Sequence, residues 1–230
     1  MVQIILVPLL LALVTSWLMA RFNILKSRQE LTANSRPLRH PAIGMQAARL
    51  AEALDLPHVQ VLELGRAEVN GMADADGRVF LTTGFVHKYD QGEVTAEELA
   101  SVIAHELGHV AQGHVKKRMN EVMGHQTAQM MANMLLARFL PFVGPWLAAR
   151  LAEGLLARTS RKHEFQADEW ASALLIKAGI GTAPQKSLFR KLGRLTGGAG
   201  DRIPAWLRSH PTADDRIRAI EANEARWLGR

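Results

Sequence analysis

Apolar and polar positions along the chain fall into three regimes: an unbroken apolar run, short alternating stretches, and then segments of helical period. The run MVQIILVPLLLALVTSWLMA, residues 1–20, carries no charged side chain. A helix of about 20 residues rises about 30 Å, the thickness of a bilayer's hydrocarbon core. Pro8 is tolerable near the start of such a helix. No Lys or Arg precedes the run and no clear A-x-A site comes before Arg21, so a retained membrane anchor is expected rather than a cleaved signal peptide. A buried N-terminal helix of a soluble domain fits poorly with twenty residues that are apolar on every side.

Residues 21–41 are polar and basic and are expected to form a juxtamembrane linker ending at Pro41. Ala47, Leu50, Ala51 and Leu54 then recur at helical spacing, predicting a helix over 42–54. VQVLEL (59–64) alternates and reads as a strand, and VNGMADADGRVFLTT (69–83) as a hairpin turning at Asp76-Gly77. Thr95 and Glu98 form a T-x-x-E capping box that should open a long helix running to about Met119. A hydrophobic helical hairpin is expected over 121–158, broken by FLPFVGPWL, followed by a helix over 161–178 that ends near Gly179. Residues 193–204 are Gly-rich and irregular, and a last helix begins near Thr212, after His210-Pro211. The pattern predicts an α+β, mostly helical fold with a small sheet. Its domains are an anchor (1–20), a linker (21–41) and one folded domain (42–230).

Composition narrows the chemistry. With 230 residues, 48% hydrophobic and 22% charged, the chain can build a full core and is not broadly disordered. It has no cysteine, which excludes disulfides, thiolate metal sites and cysteine nucleophiles. Any metal must be held by His, Asp or Glu. The net charge of +6 suits an anionic lipid surface better than nucleic acid, since no recognition helix is visible and only one Tyr is present. Arg21, Lys26, Arg28, Arg36 and Arg39 all follow the apolar run. The positive-inside rule therefore places the folded domain on the cytoplasmic face of a bacterial-type inner membrane; the alternative is a periplasmic placement.

The stretch IAHELGHVAQGH (103–114) carries the densest chemistry. Leu99, Ile103, Leu107 and Val110 share one apolar arc of the capped helix. His105 and His109 stand one turn apart at its edge, about 40° from each other on the wheel. Two imidazoles at i and i+4 can grip one ion, and Glu106 between them can take a proton from water: this is the H-E-x-x-H logic. Gly108 leaves room for another element to approach.

His114 does not complete the set. The metzincin spacing needs Gly at 112 and His at 115, where this chain has Gln112 and Val115. His114 is therefore expected to be structural or solvent-facing. The better third ligand lies in TSRKHEFQADEWA (159–171), where Glu164 and Asp168 are one turn apart. Glu164 would complete a His-His-Glu site, and Asp168 would accept the outer N–H of a ligand histidine.

HELGH (105–109), SRKHEFQAD (160–168) and SHPTADDRI (209–217), in that order behind an apolar segment, resemble the HtpX-type membrane zinc endopeptidases. Those are gluzincins related to the CAAX prenyl proteases and to periplasmic chaperone-proteases. NGMADADGRVFLTTGFV (70–86) is similar to their edge-strand segment. The resemblance covers about residues 42–221. It implies a zincin, minigluzincin-like domain holding one Zn2+ on His105, His109 and Glu164, with Glu106 as general base. It also implies that His210 steadies the oxyanion, that Arg216 supports the site, and that Asn70, Gly71, Met72 and Ala73 line the substrate. Gly71 and Met72 replace the family's usual Ala-Phe, Thr212 stands where a second Pro is usual, and one span is found where two are common.

The expected activity is membrane-anchored zinc endopeptidase cleavage of misfolded or membrane-associated proteins. An alternative is a chaperone on the same scaffold with little or latent proteolysis; a basic membrane-surface scaffold without zinc is a more remote one. The expected partners are protein or peptide substrates and membrane lipid. The apolar hairpin 121–158 is too short-spanned for separate membrane crossings. It could dip into the interface, pack on the domain, or pair with another copy in a homo-oligomer. His210 could also occupy the open metal position and hold the enzyme latent.

Overall fold

The alternating stretches supply three strands of a four-stranded mixed sheet, and one of its two edge strands, Gly71–Ala73, lies beside the site. In the computed structural model, which describes residues 2–114, 144–195 and 212–229, the strands are β1 (Ser35–Pro37), β2 (Val61–Leu64), β3 (Gly71–Ala73) and β4 (Val79–Thr82). Their order is β1-β2-β4-β3. β2 and β4 are parallel, with Leu62 opposite Phe80. β1 pairs antiparallel with β2, and β3 antiparallel with β4, so both outer strands oppose their neighbours. The predicted hairpin forms. Asp74 closes its turn by accepting hydrogen bonds from the backbone N–H groups of Asp76 and Arg78, and Gly77 takes φ +86°.

The helices are α1 (Val2–Ala33), α2 (Pro41–Ala53), α3 (Thr83–Asp90), α4 (Ala96–Ala111), α5 (Gly144–Lys177), α6 (Ala183–Leu195) and α7 (Ala213–Leu228). Pro41 opens α2, where its fixed φ suits the first turn and its missing N–H costs no hydrogen bond. The capping box of α4 is complete: the Thr95 hydroxyl accepts from the Glu98 N–H, and the Glu98 carboxylate accepts from the Thr95 N–H. Such a cap contributes about 1 kcal/mol. Glu98 is also tied down by Ser187 and Lys191 of α6.

By contacts the chain divides into two units, residues 1–33 with 116–159 and residues 34–115 with 160–230. The described part of the first consists of α1 and the start of α5. In α1 no side chain before Val14 is described, and Trp17, Leu18, Met19, Phe22 and Leu25 are exposed. Among the described residues no helix is long and apolar enough to cross a membrane. The second unit holds the sheet and the other helices. Its centre is α4, which packs against α2, α6 and β3 and buries Leu99, Ile103 and Leu107 among Ile43, Leu50 and Phe85.

Four expectations need correction. Residues 21–33 continue α1 as helix and 35–37 join the sheet, so only Asn34 separates helix from strand. α4 ends at Ala111, not near Met119, because Gly113 adopts φ +67°, the left-handed conformation that stops a helix. The break expected between 158 and 161 is absent: Gly144–Lys177 is one helix. α6 was not anticipated. Its apolar positions Leu188, Phe189, Leu192 and Leu195 are buried at helical spacing, a period hidden by the adjoining glycines. Residues 121–143 of the expected hairpin lie outside the described residues.

Candidate metal centre

The site is assembled from two helices that meet at a glycine. A Cβ placed on Gly108 would stand 3.0 Å from the Ala167 carbonyl oxygen and 3.3 Å from the Trp170 ring. Contact this close lets α5 lie against the HELGH turn, and Glu164 and Asp168 then project toward the two histidines.

His105, His109 and Glu164 converge: one donor atom from each lies within 4.8 Å of the others. His105 Nε2 is 3.3 Å from Glu164 Oε2, and His109 Nε2 is 3.4 Å from Glu164 Oε1. The two Nε2 atoms are 3.1 Å apart. Donors bound tetrahedrally to zinc at about 2.05 Å stand about 3.3 Å from one another, so the spacing fits that ion. The donor chemistry fits as well, being two imidazoles and a carboxylate without thiolates. His105 and Glu164 are buried and His109 is half-buried, which leaves an approach from His109's side.

The outer nitrogens are also engaged. His105 Nδ1 is 2.9 Å from Asp168 Oδ1. Arg216, fully buried on α7, donates to both oxygens of Asp168 at 2.6 Å and lies over the Phe189 ring. Burial alone would lower the pKa of His105, but its hydrogen bonds to Asp168 and Glu164 prevail and raise it to about 9. Burial opposes ionisation of Asp168 too, yet Arg216 outweighs it and lowers the carboxyl to about 2. Without metal, then, His105 holds a proton that an incoming cation must displace.

Glu106 is buried on α4 and faces the edge strand. A Cβ on Gly71 would lie 3.8 Å from its Oε1 and 2.5 Å from the Val102 side chain. The strand residues Gly71, Met72 and Ala73 form β3 itself. Asn70 sits just before them, held by the Thr82 hydroxyl and capping the Gly71 N–H with its own side chain. His210 lies outside the described residues.

Of the two readings of His114, structural or solvent-facing, the structure takes the first. It is buried, not solvent-facing, and its Nδ1 is 3.1 Å from Nδ1 of His109. Helical spacing alone could not reveal this, since the contact depends on the chain reversing at Gly113.

The profile of peptidase family M48 matches residues 37–224. The chain is similar to the metalloprotease LoiP of Escherichia coli (strain K12), with 30% identity over 66% of this chain and 58% of LoiP. It is 31% identical to the metalloprotease YcaL of the same organism, over 67% of this chain and 58% of YcaL. A protease HtpX homolog of Desulfotalea psychrophila (strain LSv54 / DSM 12343) is 28% identical over 82% of this chain and 71% of its own length. The chain thus spans a little over half the length of LoiP and YcaL. The profile covers strands β2, β3 and β4, the HELGH helix and the parts of the chain bearing Glu164 and Arg216, and the chain accordingly belongs to peptidase family M48.

Proposed function

We propose that the protein is a membrane-anchored zinc endopeptidase of the HExxH-plus-glutamate type, acting on protein or peptide substrates. The observation that carries this reading is the convergence of His105, His109 and Glu164 on one point, beside a buried glutamate that faces the outer strand β3. Zinc bound there would act as a Lewis acid toward a substrate carbonyl and lower the pKa of water to about 7.

The chain's own groups do the rest. Glu106 accepts the proton of the attacking water and delivers it to the leaving amine. Substrate adds as an extended strand along β3, through main-chain hydrogen bonds, over Asn70, Gly71, Met72 and Ala73. The resemblance assigns His210 to the oxyanion. Asp168 and Arg216 hold His105 in the tautomer whose Nε2 carries the lone pair a metal would take.

Membrane attachment is part of the proposal and rests on the uncharged residues 1–20, the exposed apolar side chains of α1 and the basic residues that follow. Misfolded or membrane-associated proteins are the proposed substrates, and the cytoplasmic face the proposed location. The chaperone alternative would use the apolar stretch 121–158, but all the side chains that hydrolysis needs are present.

Metal analysis of the purified chain, with casein cleavage by wild type and Glu106→Gln, tests the reading. One zinc per chain in both, with cleavage only by wild type, is expected. Equal cleavage by Glu106→Gln would overturn the mechanism, and absence of stoichiometric metal would overturn the metal site.

A further inference from the structure

The two histidines of HELGH have unlike partners on their outer sides. His105 meets a carboxylate, Asp168, which Arg216 neutralises. His109 meets another imidazole: its Nδ1 lies 3.1 Å from Nδ1 of His114. The second nitrogen of His114, Nε2, is 3.3 Å from Oε1 of Gln166 on α5. The His114 ring is also stacked on His163, with centroids 4.1 Å apart and planes at 20°. Gln112 ties the same turn to α5 by donating to the Gln166 carbonyl at 2.8 Å.

Counting protons gives these contacts a direction. A neutral imidazole carries one N–H. If Nε2 of His109 is the ligand atom, its N–H must sit on Nδ1 and point at His114. Nδ1 of His114 must then be the lone-pair nitrogen, so the N–H of His114 sits on Nε2 and donates to the side-chain Oε1 of Gln166. Every donor in the chain meets an acceptor. With one proton per ring, no other arrangement satisfies both contacts and leaves Nε2 of His109 bare.

We propose that His114 is a positioning residue for the metal: it accepts the outer N–H of His109, fixes that ring's tautomer and aims its Nε2 at the ion, while Gln166 fixes the tautomer of His114. The proposal rests on the His-His-Glu metal reading above. It also explains why His114 falls out of ligand spacing. The reversal at Gly113 carries it behind His109, on the side away from Glu164's oxygens, where an outer partner is needed. A neutral acceptor suits that position, because Glu164 and Asp168 already supply two carboxylates and Arg216 only one cation.

The test measures zinc affinity by chelator competition on the full chain, with thermal unfolding of the metal-free form beside it. His114→Phe keeps an aromatic ring against His163 but offers no acceptor. It should weaken zinc binding about 10-fold or more, the usual effect of losing an outer partner, while the metal-free unfolding temperature stays near wild type. His114→Asn, whose Oδ1 stands close to the position of the lost Nδ1, should recover most of that affinity. Gln166→Met, which touches His114 but not His109, should weaken zinc binding in the same direction and by less; this arm decides the matter should the Phe variant fail to fold. Wild-type affinity in His114→Phe, or equal loss in the Phe and Asn variants, would overturn the proposal. If instead wild type binds no zinc, or Glu164→Ala binds it as well as wild type, the metal reading itself has failed.

Discussion

Arg216 holds Asp168 by both carboxylate oxygens, with Nε 2.6 Å from Oδ2 and Nη2 2.6 Å from Oδ1, so the group that orients His105 is itself fixed from a third helix. The link joins the last helix of the chain to the HELGH turn, 111 residues earlier. Both partners are almost wholly buried, and removing Arg216 takes from Asp168 its two-pronged counter-charge and leaves it only the His105 imidazole.

Arg216→Ala should therefore destabilise the fold by about 3–5 kcal/mol, the range for breaking a buried ion pair. Arg216→Lys keeps the charge but loses the two-pronged grip, and should fall between the two. Equilibrium denaturation of the three proteins in chelator makes the comparison. An Ala variant as stable as wild type would show that Asp168 finds another counter-charge.

The pH dependence of the metal-free protein follows from two shifts of opposite sign. Asp168 is lowered from 3.8 to about 2, so its contribution is present above pH 3.8 and is lost as pH falls toward 2. His105 is raised from 6.5 to about 9, so its contribution is complete below pH 6.5 and is lost as pH rises through 9. Stability in chelator should decline over that upper window, while zinc affinity rises across it, because the bound proton leaves as the metal enters. Thermal melts and zinc titrations at pH 6.5 and 9 read both slopes. A zinc affinity that does not change between them would contradict the picture.

Glu164→Gln keeps the size of the side chain and removes its charge. Zinc affinity should fall by more than the about 10–100-fold typical of outer partners, because a ligand is lost, not a support. Cleavage should fall with it and return only in part at high zinc. The metal-free variant should also show a lower His105 pKa, because one of the two carboxylates that raise it is gone. Histidine proton shifts measured against pH in the metal-free protein would read that change.

Periodicity made the local elements legible. The capping box at Thr95 and Glu98, the turn at Asp76-Gly77 and the i, i+4 pairs His105/His109 and Glu164/Asp168 all depend on residues close in sequence. Local sterics and hydrogen bonding set them, and the pattern carried them directly. What depended on chain reversal or long-range packing was hidden. Nothing in the spacing of HVAQGH shows that Gly113 turns His114 back onto His109. Helix α6 is hard to read from the sequence because its apolar period sits beside glycines, although tertiary contacts with α4 hold it. The helical course of residues 21–33 was masked by their charge, which marks solvent exposure as readily as a linker.

The edge strand yields the last prediction. Gly71 stands where the resembling family usually has Ala, and a Cβ there would come 2.5 Å from Cγ1 of Val102, a separation that real side chains do not adopt. β3 therefore lies closer to α4 than an alanine would allow, and the same Cβ would lie 3.8 Å from the Glu106 carboxylate. Gly71→Ala must push the strand outward or twist Val102 off its rotamer, at a cost of about 1–3 kcal/mol. A peptide paired along β3 would move with the strand, so kcat should fall more than KM rises, since an error of about 1 Å in placing the scissile carbonyl can cost about 100-fold. Val102→Ala removes the obstructing methyl groups. Combined with Gly71→Ala, it should restore both strand position and much of the rate, although Val102→Ala alone leaves a small void. Kinetics of the two single variants and the double variant form the cycle. A double variant no faster than Gly71→Ala would show that contact with Val102 does not govern where β3 presents its substrate.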